Sequence, residues 1–294
     1  MTLAVVFALA AALCNAVNLM TQHLASTGAP KREKGWRLPV YLVRQPLWLA
    51  GAVAAVGSFV FQALALHNGL LSVVQPVLVT ELVFVLVLRR VWIGQDVAGA
   101  AWAAVVVVCV ALAVFLTVAE PTGGHPMPDK AEWLSAVLVF GGSTVVLAAL
   151  GRRGPPVRRA VVLAMAAALT WALMATFLKT VTETLTTFGI SGVLTRWPVY
   201  ALAVAAVAGT LLEQAALHVG PLSVSQPVLV VIDPFAAIIL SVWLFEERFT
   251  DSPVKIAIAV AAFTVLALGV IVLSRTAPQD LTSSRPATGS PPQS

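Results

Sequence analysis

The chain has 294 residues, of which 59% are hydrophobic and 11% charged, and its formal net charge is +5. Because soluble domains carry about 25% charged residues, this composition excludes an ordinary soluble protein and predicts an all-α polytopic membrane protein. The basic residues stand in short clusters between apolar runs rather than along a basic helix with interleaved aromatics. That placement argues against a nucleic-acid partner and makes membrane lipid the expected surroundings.

Nine apolar runs are near the ~20 residues that a helix needs to cross hydrocarbon. We predict membrane helices over residues 3–24, 45–67, 70–90, 96–118, 132–150, 158–181, 197–217, 221–245 and 254–274. Segment 25–44 is polar and is predicted to be a loop with a short interfacial helix near residues 38–44. The Pro- and Ser-rich tail from Arg275 is predicted to be disordered. No Lys or Arg precedes the first run, which indicates a retained helix rather than a signal peptide.

Basic residues fall unevenly on the two sides of such a nine-helix chain. If the odd-numbered helices run from outside to inside, Lys130, Arg196, Arg248 and Lys255 lie outside, and Lys179 near the outer end of helix 6 is expected to be an interface anchor. The cytoplasmic side then carries the other 13: Lys31, Arg32, Lys34, Arg37, Arg44, Arg89, Arg90, Arg152, Arg153, Arg158, Arg159, Arg275 and Arg285. The positive-inside rule therefore predicts a multi-pass protein of the cytoplasmic (inner) membrane with its N-terminus outside and its C-terminus inside.

One stretch of the chain occurs twice. Counted from Ala65 and Ala216, 12 of 15 positions are identical at an offset of 151 residues. Residues 4–16 match residues 160–172 at 9 of 13 positions, at an offset of 156. Helices 1–4 therefore correspond to helices 6–9, with helix 5 as a bridge. Because five helices separate equivalent points, the two halves are predicted to be inverted repeats.

This repeat predicts the organisation of the chain and suggests its mechanism. We expect a first membrane repeat over residues 1–118, a bridging helix with loops over 119–156, a second repeat over 157–274 and a cytoplasmic tail over 275–294. Two inverted halves can open alternately to either side around a substrate site near the midplane. A channel, or a non-transporting protein descended from the same duplication, would share the pattern.

Three carboxylates fall inside predicted helices, where a charged side chain costs about 2.5–3.5 kcal/mol on insertion scales. They are Glu81 in helix 3, Glu213 in helix 7 and Asp233 in helix 8. At that depth a carboxylate stays ionised only in a wet cavity or beside a cation, and otherwise it takes up a proton. The three are predicted to be proton or cation sites, and metal ligands if a divalent cation is the cargo. A packing role as protonated or hydrogen-bonded residues is the alternative.

Other intramembrane polar residues complete the predicted substrate pathway. Ser223, Gln226 and Asp233 follow helical spacing and share one face of helix 8. The further pathway candidates are Ser72 and Gln75 in helix 3, Gln62 at the position equivalent to Glu213, and Asn15 and Asn18 on helix 1. The helix 1 stripe serves either substrate contact or interhelical hydrogen bonding. Pro76, Pro227 and Pro234 are predicted hinges because each removes a backbone donor.

Several of these motifs resemble a known family. The two Gly-x-Leu-Ser-Val-x-Gln-Pro segments, each followed by a Gly-containing helix (Gly99, Gly269), resemble the drug/metabolite transporter superfamily and its EamA-like members. Phe245-Glu246-Glu247-Arg248 looks like the acidic end of the superfamily's second proline helix, whereas Arg89-Arg90 stands at the matching place in the first half. Nine helices, and Pro46-Leu-Trp48 opening helix 2, look closer to NIPA-type magnesium transporters and to actinobacterial Ala/Val/Leu-rich membrane proteins.

The repeat, the acids and the resemblance together predict a secondary transporter of a small metabolite, coupled to protons or another cation. Two alternatives stay open: a transporter of Mg²⁺ or another divalent cation, which would bind to oxygen ligands such as the three carboxylates, and a non-transporting membrane scaffold. The chain has no GxxxxGK[ST] phosphate loop and no clustered His and Cys ligands, so we expect no ATP-driven pump, no enzyme and no cofactor. Monomer and homodimer are both compatible with the sequence.

Overall fold

The computed structural model describes residues 1–27, 45–94, 98–124, 127–220 and 222–276. Within these ranges nine helices are long and apolar enough to cross a membrane. In chain order they are α1 (Thr2–Thr27), α2 (Pro46–Asn68), α3 (Leu71–Ile93), α4 (Gly99–Val118), α5 (Lys130–Leu150), α6 (Pro156–Leu194), α7 (Trp197–Val219), α8 (Leu222–Leu244) and α9 (Pro253–Thr276). The prediction of an all-α, multi-pass membrane protein is confirmed. The predicted interfacial helix near residues 38–44 and the tail beyond residue 276 lie outside the described residues.

Proline marks the start of four of these helices. Pro46, Pro156, Pro198 and Pro253 stand in the first turn of α2, α6, α7 and α9. The first turn is where proline is tolerated, because the backbone N–H groups there have no carbonyl partner within the helix. The same residue type therefore ends a loop and begins a membrane span at each of these places.

Helix α6 is longer than its apolar run, and the prediction that it ends near residue 181 was wrong. It continues to Leu194 with a kink at Gly189, whose φ is 67°. The run after residue 181 is rich in threonine, and those hydroxyls bond back to carbonyls one turn earlier, as in Thr182 to Lys179 O (2.7 Å) and Thr184 to Thr180 O (2.7 Å). Because the polar groups are satisfied inside the helix, loss of hydrophobicity does not end it.

The two Gln-Pro helices differ in regularity. In α3 the α-helical segments Leu71–Leu78 and Glu81–Leu88 are separated by a tight turn in which Thr80 N–H donates to Val77 O (3.0 Å). Helix α8 continues as one helix through Pro227 and Pro234. The predicted interruption is therefore present after Pro76 and absent at the other two prolines, where the remaining backbone hydrogen bonds maintain the helix.

Helix packing repeats between the two parts of the chain. α1 lies along α2 and also contacts α3, while α6 lies along α7 and contacts α8. Gly69 and Gly220 are both in extended backbone (φ −158° and −141°), and a Cβ at either would collide with the Ala4 or the Ala160 methyl group. These pairs are related by the two sequence offsets, since Gly220 follows Gly69 by 151 positions and Ala160 follows Ala4 by 156. Close approach at small residues is how membrane helices gain packing energy.

Helix α5 and a short sheet complete the fold. Trp133 of α5 stacks on Phe177 of α6 with ring centroids 4.9 Å apart, and it meets Trp197 of α7 edge-on at 5.3 Å. Strand β1 (Thr122–Gly123) pairs antiparallel with β2 (Glu247–Arg248), with Gly123 opposite Glu247. The sequence pattern gave no indication of these strands because each is only two residues long. The ladder joins the α4–α5 loop to the end of α8.

The glycine–alanine contacts predict a stability effect. Gly69→Ala and Gly220→Ala are each expected to lower the free energy of unfolding by about 1–3 kcal/mol, because the added methyl group overpacks a closed contact. The measurement is unfolding in mixed micelles. Gly142→Ala is the matched control, since nothing lies within 4 Å of its Cβ position. It should be neutral or stabilising by about 0.4–1 kcal/mol, and equal losses in all three variants would contradict the packing account.

Candidate functional site

Three membrane carboxyl groups from three different helices lie near one another. Glu81 on α3 is close enough to Glu213 on α7 to interact electrostatically with it, and Asp233 on α8 interacts with both. Across the described residues, no Lys or Arg pairs with any of the three. The helices thus gather the predicted acids, which lie 20 to 152 positions apart in the chain, into one acidic cluster.

Two side chains hold two of these carboxyl groups in place. Asn15 Nδ2 on α1 donates to Glu81 Oε2, and Trp171 Nε1 on α6 donates to Glu213 Oε2 at 3.0 Å. Asn15 and Trp171 are equivalent positions at the offset of 156. Gly209 makes the second arrangement possible, because a Cβ there would lie 3.2 Å from the Trp171 ring. The two repeats therefore use one equivalent position to donate to two different acids.

Trp171 is a site residue that the sequence reasoning missed. The predicted pathway contains only side chains of Asp, Glu, Asn, Gln and Ser, so an aromatic residue at the position equivalent to Asn15 was not among its candidates. The indole N–H of Trp171 is nevertheless a donor that needs a partner when it is buried. The repeat itself was the available signal, because the offset of 156 makes Trp171 the equivalent of Asn15, which is a predicted pathway residue.

The buried side-chain atoms that have no hydrogen-bond partner in the described part of the chain include two, on α3 and α8, that bear on the predicted pathway. They are Oδ1 of Asp233 and Nε2 of Gln75, whose residue is only 3% exposed. A buried polar group without a partner costs about 1–3 kcal/mol, so such groups are uncommon outside functional sites. Gln75 lies on the segment of α3 that packs against α8. The Asp233 oxygen is free to accept a hydrogen bond, and the Gln75 amide is free to donate one to a water molecule or to a substrate oxygen.

The remaining pathway candidates lie in four different settings. Gln62 and Gln226 are partly buried on α2 and α8. Asn18 accepts a hydrogen bond from Gln22 within α1, so it takes part in a local pair rather than in a contact with an acid. Ser72 is buried at the start of α3, where its amide N–H donates to Glu247 rather than to one of the three acids of the cluster. The Ser223 side chain lies outside the described part of the structure.

A buried carboxylate at the end of α8 forms a second polar site, called here the Glu247 clamp. Glu247 is 1% exposed, and its Oε1 and Oε2 accept hydrogen bonds from the amides of Leu71 (2.8 Å) and Ser72 (3.0 Å) at the start of α3. Lys179 Nζ on α6 lies 2.7 Å from the same Oε1. The carboxylate therefore accepts hydrogen bonds from helix N-terminal amides and also pairs with a buried ammonium group. Negative charge is stabilising at a helix N-terminus, where the first amides have no carbonyl partner in the helix.

The clamp corrects the prediction for Lys179. That side chain is 5% exposed, pairs with Glu247 and lies with its Nζ 4.5 Å from the centre of the Phe245 ring, so it is not an interface anchor that extends to the membrane surface. Its partner lies 68 residues away in the chain, which a local reading of the sequence does not reveal. The β2 pairing with Gly123 positions Glu247 for this contact.

The surroundings of Glu247 decide its protonation. Burial by itself would raise the pKa of this carboxyl group, but the Lys179 charge and the hydrogen bonds from Lys179 and Ser72 outweigh burial and hold its pKa below the ordinary glutamate range. Glu247 is therefore ionised at neutral pH, and the clamp is a charged pair.

Among the described residues, no group of three His, Cys, Asp or Glu side chains could hold a metal ion. Glu81, Glu213 and Asp233 thus interact electrostatically without forming a three-ligand metal site in this conformation.

Comparisons with known proteins give one informative relative. No family model matches the chain, and no solved structure matches it. An uncharacterized protein of Corynebacterium glutamicum is 27% identical over 288 residues, which cover 96% of this chain and 98% of that protein. The similarity therefore extends over nearly the whole length of both chains.

Removing the Lys179 charge from the Glu247 clamp should destabilise the folded protein. Lys179→Met leaves the Glu247 carboxylate buried without a cation, and we expect it to lower the free energy of unfolding by about 3–5 kcal/mol. The exposed Lys255–Glu120 pair has the same 2.7 Å separation and supplies the control. Lys255→Met should cost less than about 1 kcal/mol, because surface ion pairs contribute little. Similar losses in the two variants would show that the clamp is no stronger than a surface pair.

The clamp should also be sensitive to acid. Because the folded-state pKa of Glu247 lies below the unfolded value of about 4.3, its stabilisation is complete above that pH and is lost as the pH falls through the lower folded value. Unfolding midpoints of the wild type and Glu247→Gln, compared from about pH 7 down to about pH 3, should differ most at neutral pH and converge in acid. A difference that stays constant down to the lowest pH would contradict an ionised Glu247 in the folded state.

Proposed function

We propose that this protein is a secondary transporter that moves a small metabolite across a membrane by alternating access, with Glu81, Glu213 and Asp233 coupling the movement to protons. The observation that carries the proposal is the acidic cluster, which draws carboxyl groups from α3, α7 and α8 without a basic partner in the described residues. Burial makes an ionised carboxylate costly, and neighbouring like charges add to that cost, so the cluster favours bound protons or a bound cation. A coupling site needs that property.

Inverted halves are the proposed basis of alternating access. The α1–α2 and α6–α7 pairs support this arrangement, as do the equivalent contacts of Gly69 with Ala4 and of Gly220 with Ala160. Helix α4 packs along α9 and α3 contacts α8, so helices that correspond in the repeat also touch each other. Contacts of that kind are expected around a two-fold pseudo-axis in the membrane plane. The same features favour membership of the drug/metabolite transporter superfamily.

The Glu247 clamp would keep one end of the pathway closed. It joins the first half, through the amides of Leu71 and Ser72, to the second half, through Glu247 and Lys179. For the halves to separate at this end, the hydrogen bonds and the ion pair of Glu247 must be replaced by hydrogen bonds to water. We assign the clamp to the outer face of the cytoplasmic membrane, because the bias of basic residues places the N-terminus outside and the C-terminus inside.

Two other functions compete with this proposal. A divalent-cation transporter would use the same three carboxylates as ligands, but they would first have to move together, since no metal-binding group exists among the described residues. A membrane scaffold would not need three costly intramembrane acids. Proton coupling needs only the proximity that the acids already have.

Neutralising the acids should abolish coupled transport. Proteoliposomes that contain a pH-sensitive dye would be challenged with amino acids, nucleosides, amines and sugars, and at least one compound should drive proton movement through the wild type. Asp233→Asn, Glu213→Gln and Glu81→Gln should each reduce it to the level of empty liposomes, because each removes a proton-binding group. The exposed acid of Asp251 provides the control variant Asp251→Asn, which should retain wild-type flux.

Two results would redirect the proposal. Mg²⁺ uptake that is abolished by Asp233→Asn, in the absence of any organic compound, would favour the divalent-cation transporter. Flux of a compound that is unaffected both by a pH gradient and by all three neutral variants would exclude proton coupling through the cluster.

A further inference from the structure

A groove of about 580 Å³ opens between the end of α5 and the start of α6, at the end of the molecule opposite to the Glu247 clamp. Three arginines, Arg152, Arg153 and Arg158, line one part of it, and Val146 and Leu150 form an apolar wall. Its size falls within the range of small-molecule binding sites. The groove has no part in the proposed transport pathway.

The turn that carries the arginines is well defined. Gly154 has a φ of 112°, in the left-handed region that favours glycine, and it is followed by Pro155 at the N-cap of α6. Arg159 Nε donates to Gly151 O at 3.0 Å, which ties the first turn of α6 to the end of α5. The three groove arginines therefore project from a fixed backbone rather than from a long loop.

These arginines have no carboxylate partner among the described residues. All three are exposed, and in the part of the chain that the structure describes no carboxylate forms an ion pair with them. Lys179 and Lys255, by contrast, each lie 2.7 Å from a carboxylate oxygen. Three guanidinium groups around one groove create a local positive potential that favours an anion.

The apolar wall of the groove continues along the outside of α5. Leu138, Val145 and Val146 are 64%, 69% and 58% exposed, and they follow helical spacing on a membrane-spanning helix. This face leads from the arginines at the helix end into the hydrocarbon region. Charged and apolar surfaces thus meet in the order in which a phospholipid presents its phosphate and its acyl chains.

From this juxtaposition we infer that the groove binds an anionic phospholipid, with its phosphate on Arg152, Arg153 and Arg158 and an acyl chain along Val146 and Leu150. Guanidinium groups bind phosphate oxygens through paired hydrogen bonds, which suits arginine better than lysine for this role. Basic pockets at the ends of membrane helices recognise anionic headgroups in this way. A free phosphate ion would use the arginines only and would leave the apolar wall unoccupied.

The test titrates the detergent-solubilised full-length protein with phosphatidylglycerol and with phosphatidylcholine of the same acyl chains, and follows bound lipid by native mass spectrometry. The wild type should prefer phosphatidylglycerol. The variant Arg152→Gln/Arg153→Gln/Arg158→Gln should bind it about 100-fold more weakly, since each basic residue near an anionic lipid surface contributes about fivefold. Leu150→Asn keeps every charge and should weaken both lipids by removing the apolar wall.

A second triple variant controls for the loss of charge. Lys130→Gln/Arg248→Gln/Lys255→Gln also removes three positive charges, but at the opposite end of the helices, and it should bind phosphatidylglycerol as the wild type does. Thermal unfolding would show whether each variant is folded, and Leu150→Asn remains informative if the arginine variant is not. Equal binding of the two lipids, equal losses in the two triple variants, or full displacement of phosphatidylglycerol by millimolar inorganic phosphate would each overturn the inference.

Discussion

The architecture depends on how one buried carboxylate, Glu247, is stabilised. The first amides of α3 have no carbonyl partner inside their own helix, and Leu71 and Ser72 are fully buried in the protein, where no solvent water can take that place. Glu247 satisfies two of these amides at 2.8 and 3.0 Å, and Lys179 neutralises its charge. Because the carboxylate and the ammonium belong to the second repeat and the amides to the first, one polar contact both completes a helix end and joins the repeats.

The acidic cluster differs from the Glu247 clamp, because its carboxyl groups have few hydrogen-bond donors and no cation among the described residues. Glu81 and Glu213 receive one side-chain donor each, from Asn15 and Trp171, while Oδ1 of Asp233 has no partner among the described residues. A single neutral donor offsets little of the cost of a buried carboxylate, and the three groups repel one another. Stability alone would favour apolar residues at these positions, which is the reason why we propose a function that uses protons or cations.

The sequence predicted what depends on local pattern, and it missed what depends on distant contacts. Run length and hydrophobicity identified the nine membrane-length helices of the described residues, and the offsets of 151 and 156 identified equivalent positions, which make equivalent contacts: Gly69 meets Ala4, and Gly220 meets Ala160. The helical Thr-rich end of α6 was missed because the hydroxyls are satisfied by their own helix rather than by water. The roles of Lys179 and Trp171 were missed because each has its partner on another helix or strand, 68 and 42 residues away.

The central claim is that the two repeats open alternately around the acidic cluster, and cysteine accessibility tests it most directly. In a background without Cys14 and Cys109, Asn15→Cys places a thiol beside Glu81, and a membrane-impermeant maleimide is applied to either face of oriented vesicles. The account predicts labelling from the face opposite to the clamp, and labelling from the clamp face only when Glu247→Gln is added. Labelling that is absent from both faces, or that does not change when the clamp is broken, would contradict alternating access.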